Sequence, residues 1–319
     1  MAITNTFTTE AAVGVREDLA DIIYNISPED TPFQSNVGRS DASNTLFEWQ
    51  TDELSAPDGD NAVAEGADVT DFDEVDPTVR LQNYQQISRK TVIIAETMEA
   101  VDKAGRDSEI SYQLAKKGSE LKRDIETICL RNQAASGSGT RRTGSLLAFI
   151  KSNVNLGDTG ANPDYGTLPN DTRTDGTQRE FTEAQLKDVV QQCWTAGASP
   201  SILMVGPINK QNVSAFPGIA EQRYNASGAS PTTIIGAADI YVSDFGNLSV
   251  VPNRFQRERD AFVLDPEYAS LAYLRAYRQY PLAKTGDAEK RMMICEWGLR
   301  VNEEKAHGLV ADLTDTLTT

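Results

Sequence analysis

The sequence has little of the chemistry on which most enzymes depend, because its 319 residues include one histidine and three cysteines. Cys129, Cys193 and Cys295 lie far apart and are odd in number. This pattern argues against a disulfide framework and favours a reducing cytoplasm. No run of about 18 apolar residues is present, so no membrane span is predicted. The first residues also lack the basic and apolar regions of a signal peptide.

Basic residues are missing altogether from one long segment. Residues 40–79 contain no lysine or arginine but twelve acids, which supply most of the formal net charge of −17. Alternating residues at 47–50 and 79–82 predict a strand on each side of the acidic centre. The segment is therefore predicted to be a long two-stranded arm with a charged, mobile tip. Because such an arm buries too little apolar surface to be stable alone, it suits a subunit that reaches onto its neighbours.

The charge of the next segment has the opposite sign. Residues 80–150 hold twelve basic and eight acidic residues, a net charge of +4. Two interpretations stay open: a solvated loop beside a helix of mixed charge, or complementary charge between adjacent copies of one subunit. The acidic chain as a whole lacks the basic footprint of a dedicated nucleic-acid binder, although a protein that lies near DNA without gripping it remains compatible with the sequence.

The first half of the chain predicts two helices and a strand. An apolar face predicts a short helix at 13–25, and Pro28 and Pro32 leave no room for a helix after it. A β-branched strand is expected at 89–95. A long helix is then predicted at 108–133, with Ser108 as its N-cap and a length close to 40 Å. Its apolar stripe is formed by Ile110, Leu114, Leu121, Ile125 and Ile128.

The second half mixes helix and strand. Residues 152–179 are rich in glycine, proline, asparagine and aspartate and predict a loop or hinge that opens a second domain. Thr182 and Gln185 form a capping box at the start of a helix that ends at Gly197. Strands are expected at 202–205, 240–242, 248–251, 262–264, 272–276 and 293–301. The fold class is therefore α+β.

Motifs for catalysis, cofactors and metals receive little support. Residues 139–145 resemble a phosphate loop but lack its lysine and follow a helix rather than a strand. The pairs Asp58/Asp60 and Asp71/Asp73 lack the glycine and glutamate of an EF-hand loop. His307 has no nucleophile motif beside it, so a hydrolytic triad has no support. We therefore expect a protein that is not an enzyme, with no catalytic residues, cofactor or metal.

Four stretches carry a family resemblance. They are residues 6–33, residues 139–144, the helix around Trp194 that leads into 202–207, and residues 298–308. Together they resemble major capsid proteins of tailed bacteriophages over nearly the whole chain. This resemblance implies the Hong Kong 97-like fold with an N-terminal arm (1–38), an extended E-loop (39–92), a P-domain with a long spine helix (93–151), a hinge and A-domain (152–285), and a return to the P-domain and C-terminus (286–319).

The resemblance also implies a function and a set of partners. The chain would assemble with itself, as hexamers and pentamers, into the icosahedral head that encloses double-stranded phage DNA without sequence-specific binding. Its location would be the virion, after assembly in the cytoplasm of the bacterial host. Portal and scaffolding proteins are expected partners, a cement protein is a further candidate, and no membrane is involved. The alternatives are an encapsulin-like bacterial nanocompartment shell and, as a third class, an α+β hydrolase or metal-dependent enzyme.

The charge split and the family geometry together predict contacts between subunits. In that geometry the E-loop of one copy lies over the P-domain of the next. The candidate acids on the E-loop are Asp71, Asp73, Glu74 and Asp76. The candidate basic residues on the neighbouring spine helix are Lys116, Lys117, Lys122 and Arg123. Exposed ion pairs of this kind each contribute about 0–1 kcal/mol, so they would stabilise a shell only because the same contact is repeated between many subunits.

Overall fold

A computed structural model describes residues 30–66, 68–69, 72–103, 105, 107–216 and 239–316. The predicted helix at 13–25 lies outside these residues. The helices are α1 (Pro32–Asn36), α2 (Glu96–Ala100), α3 (Glu109–Leu130), α4 (Leu146–Phe149), α5 (Glu183–Thr195) and α6 (Pro207–Ser214). The strands are β1 (Gly38–Asp41), β2 (Leu46–Thr51), β3 (Val79–Tyr84), β4 (Gln86–Ala95), β5 (Val154–Asn155), β6 (Ile202–Val205), β7 (Ile240–Ser243), β8 (Gly246–Pro252), β9 (Ala261–Leu264), β10 (Ala269–Pro281), β11 (Ala288–Val301) and β12 (Gly308–Val310).

The long helix α3 packs against a four-stranded sheet. The strand order is β1-β10-β11-β4, in which β10, β11 and β4 are antiparallel and β1 runs parallel to β10. Leu121 and Ile125 of α3 share the main core with Trp297 and Leu299 of β11. A smaller apolar cluster lies at the other end of the helix, between α3 and β4. This layer of helix on sheet is the body to which the acidic arm is attached.

The predicted start of α3 is confirmed. The Ser108 hydroxyl accepts a hydrogen bond from the Ser111 amide at 3.3 Å, which satisfies one free donor of the first turn. The predicted end at residue 133 is wrong, because the helix ends at Leu130. The Gln133 amide instead donates to the Ser145 hydroxyl at 3.1 Å and so cannot continue the helical pattern. Its 22 residues span about 33 Å rather than 40 Å.

A six-stranded sheet forms the other layer of strands, in the order β5-β12-β9-β6-β8-β7. α5 packs on this sheet with its own apolar cluster, in which Leu186 and Val189 meet Leu203 and Val263. The capping box that Thr182 and Gln185 predict is present at the start of α5. The predicted strands at 202–205, 240–242, 248–251 and 262–264 are all confirmed, within one residue or two at their ends.

The two-stranded arm is present as predicted. β2 and β3 form an antiparallel pair in which Thr51 lies opposite Val79. The described residues between these two positions form neither helix nor strand, and almost all of them are exposed. The arm therefore has a short paired root, and we call the acidic segment between its two strands, residues 52–78, the acidic extension.

Several predicted boundaries are wrong. The strands predicted at 89–95, 272–276 and 293–301 are longer in the structure, as β4, β10 and β11. β10 carries two irregularities in its register, between Tyr273 and Arg275 and between Arg275 and Arg278, and these interrupt the alternation that identifies a strand. The prediction that Pro28 and Pro32 leave no room for a helix is also wrong, because α1 begins at Pro32. Proline is tolerated at the first position of a helix, where the backbone amide has no partner within the helix.

Candidate assembly interface

The root of the arm is anchored in the main core. Trp49 of β2 and Leu81 of β3 are buried with the core side chains of α3 and β11. The Phe47 ring stacks on Trp49 with 5.6 Å between centroids, and the Arg300 guanidinium lies 5.7 Å from the Trp49 centroid. The direction in which the arm leaves the body is therefore set by packing.

A buried amide adds polar contacts to this anchor. The Asn83 side chain donates to the Leu299 carbonyl at 2.6 Å and to the Thr143 hydroxyl at 3.0 Å, and it accepts from the Gly144 amide at 2.8 Å. These bonds join the root of the arm to β11 and to the loop before α4. Residues 139–145, which resembled a phosphate loop, thus use part of their backbone for internal contacts.

The acidic extension exposes large apolar side chains. Leu54 is 99% exposed, Phe72 is 87% exposed and Val75 is 88% exposed. Val63 and Val69 are exposed as well. Because the described part of the chain gives these side chains nothing to pack against, the segment has both the charge and the apolar area of a surface that binds a partner.

Among the described residues, one ion pair joins the acidic extension to the body. The Lys305 ammonium lies 2.6 Å from the Glu53 carboxylate, and this hydrogen bond raises the pKa of Lys305. Both side chains are largely exposed, so the pair contributes at most about 1 kcal/mol. It restrains the first residues of the extension and leaves the rest of the segment without a comparable attachment among the described residues.

The predicted acids and bases are not brought together within one chain. Asp73, Glu74 and Asp76 are exposed and form no ion pair with any described residue. Asp71 lies outside the described residues. Pairing of these acids with the spine helix therefore remains a prediction about two copies.

The four predicted basic residues of α3 differ in what they contact. Lys116 and Lys122 are exposed, and neither ammonium pairs with a described carboxylate. The Lys117 ammonium lies 2.7 Å from Glu120 on the same helix. The Arg123 guanidinium lies over the Phe255 ring, 5.6 Å from its centroid. Lys116 and Lys122 are thus the two of these four residues whose exposed ammonium groups are best placed to pair with a neighbouring copy.

Sequence reasoning missed the buried carboxylate of Glu126. This side chain accepts hydrogen bonds from the Phe33 amide at 2.7 Å, the Gln34 amide at 3.1 Å and the Asn253 side chain at 2.7 Å. Burial raises the pKa of Glu126, and these hydrogen bonds oppose the rise. The residue joins α1, α3 and the loop after β8. The signal in the sequence was its spacing from two apolar residues of α3, because Cys129 and Leu130 follow Glu126 by three and four residues and so lie on the same side of the helix.

Two arginines converge on another buried carboxylate that the sequence did not single out. Glu296 of β11 lies 2.5 Å from the Arg141 guanidinium and 2.7 Å from the Arg275 guanidinium. Glu296 is buried, and the hydrogen bonds and charge of the two guanidinium groups offset the cost of burying its carboxylate. Arg141 belongs to the loop at 139–145, and its charge thus serves the fold rather than a phosphate.

The groups that most often perform catalysis are buried. Burial lowers the pKa of His307 to about 4 and raises the pKa of Cys193 and of Cys295 to about 12. Cys129 is also buried, and burial raises the pKa of its thiol. Within the described ranges, no group of histidine, cysteine and acidic side chains is arranged to hold a metal ion. No described helix is long and apolar enough to cross a bilayer.

The family model of the SU10 major capsid protein matches residues 2–314 of the chain. The chain belongs to this family of major capsid proteins. It is also similar to the major capsid protein of Escherichia phage Phieco32, with 30% identity over 340 residues that cover 93% of this chain and 94% of that protein. The predicted family is therefore confirmed.

Solved structures confirm the fold of this capsid protein. The cyanophage A-1(L) capsid asymmetric unit matches with a TM-score of 0.70 and 12% identity, over 98% of this chain and 100% of that one. The Gordonia phage Cozz structure matches with a TM-score of 0.62 and 10% identity, over 99% and 98%. The predicted α+β, Hong Kong 97-like capsid fold is confirmed, while the boundaries of its domains remain predictions.

The shell of a nanocompartment has a similar fold. The holo-SrpI encapsulin complex from Synechococcus elongatus PCC 7942 matches this capsid protein with a TM-score of 0.55 and 10% identity, over 93% of this chain and 94% of that one. At this identity the likeness concerns the fold alone. The family match favours a phage head over the encapsulin alternative.

Proposed function

We propose that this major capsid protein assembles with itself, as hexamers and pentamers, into the icosahedral shell of a phage head that encloses double-stranded DNA. One observation carries the proposal: the arm is fixed to the body at Trp49 and Asn83, yet its acidic extension leaves Phe72 and Val75 in solvent. Such a segment is stabilised when a neighbouring copy covers it. Many modest contacts, repeated by symmetry, then hold a closed shell together.

The proposal also covers the location of the protein and its partners. The subunit is a component of the virion and assembles in the cytoplasm of the bacterial host. A portal protein, a scaffolding protein and a cement protein are its proposed partners. The net charge of −17 supports a shell that surrounds DNA without neutralising its phosphates. We propose no catalytic turnover, and the burial of His307 and of the thiols supports this.

Charge between copies is a further part of the proposal. The acids Asp71, Asp73, Glu74 and Asp76 of one copy would face the basic side of α3 in the next. Exposure of Lys116 and Lys122 without a described ion-pair partner supports this arrangement. Lys117 and Arg123 would contribute less, because each already has a contact in its own chain.

The contents of native particles test the proposal. Particles that contain this chain would be purified from cells producing the whole phage and treated with nuclease before their nucleic acid and protein are measured. We expect protected double-stranded DNA, with particles assembled from the chain alone as the DNA-free control. Particles that hold a cargo enzyme and no genome would instead identify a nanocompartment shell.

A further inference from the structure

A polar cavity lies beyond the C-terminal end of α3, where the turn at residues 136–142 meets residues 170–172. Its volume is about 870 Å³. None of the described residues that line it is an aspartate or a glutamate, although the chain has a net charge of −17. A larger cavity between the acidic extension and α5 has four carboxylates in its lining. The cavity beyond α3 therefore differs from its surroundings in favouring an anion.

Two arginines supply the charge of this cavity. Arg131 and Arg142 line it, and neither guanidinium forms an ion pair with a described carboxylate. The guanidinium of the preceding residue, Arg141, instead pairs with Glu296. Partial burial lowers the pKa of Arg131, and the charge of Arg142 lowers it further. The two guanidinium groups are therefore close enough to repel each other, and an anion between them would relieve this repulsion.

The carboxylate of Asp171 does not balance these two charges. Asp171 lies between the lining residues Asn170 and Thr172, but it is not part of the lining itself. Its side chain accepts hydrogen bonds from the Asp164 amide at 3.0 Å and from the Thr172 amide at 2.8 Å. Both guanidinium groups are thus available to an anion that is not part of the described chain.

The backbone around the cavity is held in place before any ligand binds. Ser136 and Arg142 exchange two backbone hydrogen bonds, at 3.0 and 2.9 Å, and the Ala135 amide donates to the Pro169 carbonyl at 2.7 Å. A Cβ atom at Gly137 would lie 2.3 Å from the Tyr84 ring, so only glycine lets the turn pack this closely on the root of the arm. Because these contacts fix the turn, binding a ligand requires little ordering of the chain.

The lining has the donors that a phosphate group requires. A guanidinium presents its N–H groups in a planar fork that matches two phosphate oxygens, and arginine is therefore a preferred residue for binding phosphate. Hydroxyl groups, which can donate to further oxygens, line the same cavity at Ser136, Ser138, Thr140 and Thr172. Residues 139–145 resemble a phosphate loop without its lysine, and Arg142 supplies a positive charge within that segment.

We propose that the cavity beyond α3 binds a phosphate group, held by the guanidinium groups of Arg131 and Arg142 and by the hydroxyl groups of the lining. The phosphate belongs either to free inorganic phosphate or to the backbone of DNA. This inference goes beyond the proposed function, in which an acidic shell surrounds DNA without neutralising it, because it adds one local site to each copy. Its test uses the full chain without requiring a shell, so the two can fail separately.

Calorimetric titration of the full chain with inorganic phosphate, at constant ionic strength and neutral pH, tests the site. The variant R131Q/R142Q should bind phosphate about tenfold more weakly or worse, because it loses both charged donors. The matched control is R89Q/R278Q, which removes two exposed arginines that both lie opposite Ile294 in the four-stranded sheet. This control should bind as the unmodified chain does. Absence of binding by the unmodified chain, or equal weakening in both variants, would overturn the proposal.

Chemical modification of the unmodified chain gives a second readout that does not depend on whether a variant folds. Phenylglyoxal reacts with accessible arginines, and peptide mass spectrometry measures the rate at each position. Phosphate should slow the reaction of Arg131 and Arg142 and leave the rates of Arg89 and Arg278 unchanged. A uniform effect on all four arginines would contradict a site at this cavity.

The same measurement identifies the source of the phosphate. A short DNA duplex would replace inorganic phosphate in a parallel reaction. Protection of Arg131 and Arg142 by the duplex, lost at high salt, supports the DNA backbone as the ligand, whereas protection by inorganic phosphate alone supports free phosphate. Protection by neither, or equal protection by acetate, would overturn the proposal, and the acetate result would indicate that the cavity binds a carboxylate of another protein segment instead.

Discussion

Single buried polar residues connect parts of this capsid protein that lie far apart in sequence. Glu126 is the clearest case, since its carboxylate accepts from two amides of α1 and from Asn253, which lies 127 residues away. Asn83 does the same for the root of the arm, and Glu296 for two arginines. Such residues fix how the elements lie against each other, because an unpaired buried donor or acceptor is costly.

Replacing Glu126 with alanine should destabilise the subunit by about 3 kcal/mol, because it removes the acceptor of four buried hydrogen bonds, from the Phe33 amide, the Gln34 amide and side chain, and the Asn253 side chain. Urea unfolding of the unassembled chain would measure the loss. The matched control is Glu120→Ala on the same helix, which removes a half-buried pair with Lys117 and should cost less, about 1 kcal/mol. Equal losses for the two variants would show that Glu126 does not join these elements.

His307 should make stability depend on pH. Its pKa is about 4 in the folded chain, where burial disfavours the charged ring, and about 6.5 in the unfolded chain. Between these values the unfolded state binds more protons, so the His307 contribution to stability falls as pH falls from 6.5 to 4, by up to about 3 kcal/mol.

The contribution of His307 has to be isolated by comparison. Burial raises the pKa of Asp260 to about 6, which works in the opposite direction because the folded state then binds the extra proton. The free energy of unfolding would therefore be measured against pH for the unmodified chain and for His307→Gln. The difference between the two curves should change between pH 6.5 and 4; a constant difference would contradict the assignment.

At the scale of elements, α3 has one side committed to the core and one side open to a neighbour. Leu121, Ile125 and Cys129 are buried in the main core, while Lys116 and Lys122 are exposed. The acidic extension has the complementary charge and is held to the body at its root. We propose that the assembly brings these two elements together.

Charge reversal tests this pairing. Changing Asp71, Asp73, Glu74 and Asp76 to lysine should impair assembly, because like charges then meet at each contact. Changing Lys116, Lys117, Lys122 and Arg123 to glutamate in the same chain should restore part of it, and high salt should weaken all these differences. Light scattering during assembly gives the readout. If the double reversal assembles no better than the acid reversal alone, the arm docks elsewhere.

Lys116 and Lys122 allow a finer version of the same test. Reversing only these two to glutamate should weaken assembly of the unmodified arm more than reversing Lys187, a partly exposed lysine of α5 that pairs with Glu183. Both variants reverse lysine charge on the surface of a helix. A larger assembly defect in the α3 variant than in the Lys187 variant would therefore show that the location of the charge on α3 matters.

Elements with a local signal could be predicted from the sequence, and those that depend on distant pairing could not. α3, α5 and the strands of the arm were identifiable from caps and alternation. β1, β5 and β12 were not, because they lack the run of four apolar residues that identifies the equally short β6 and β9. In the candidate site, the exposed acids and lysines were evident in the sequence. The buried roles of Asn83, Glu126 and Glu296 were not, because a polar residue shows its burial only when its partners are known.

At the scale of the whole molecule, the body and the acidic extension contribute differently to the stability of the subunit. The body holds the described apolar cores, and the extension contributes to none of them. Thr51 and Val79 face each other at the end of the arm's root, so a two-residue turn can close the gap if the extension is removed.

Replacing residues 52–78 with Asn-Gly should therefore leave the body folded and prevent stable shells. Circular dichroism and thermal unfolding would report on the fold, and sedimentation velocity on assembly, each against the unmodified chain. Loss of folding would show that the extension is part of the body; unimpaired shells would show that it is not needed between copies.

The most direct test of the account is electron microscopy of the purified 319-residue chain under assembly conditions, with a three-dimensional reconstruction of any particles. The account predicts closed icosahedral shells built of hexamers and pentamers, with the acidic extension of each subunit lying on its neighbour. A chain that remains monomeric when scaffolding protein is supplied, or shells in which the extension contacts no other copy, would contradict it.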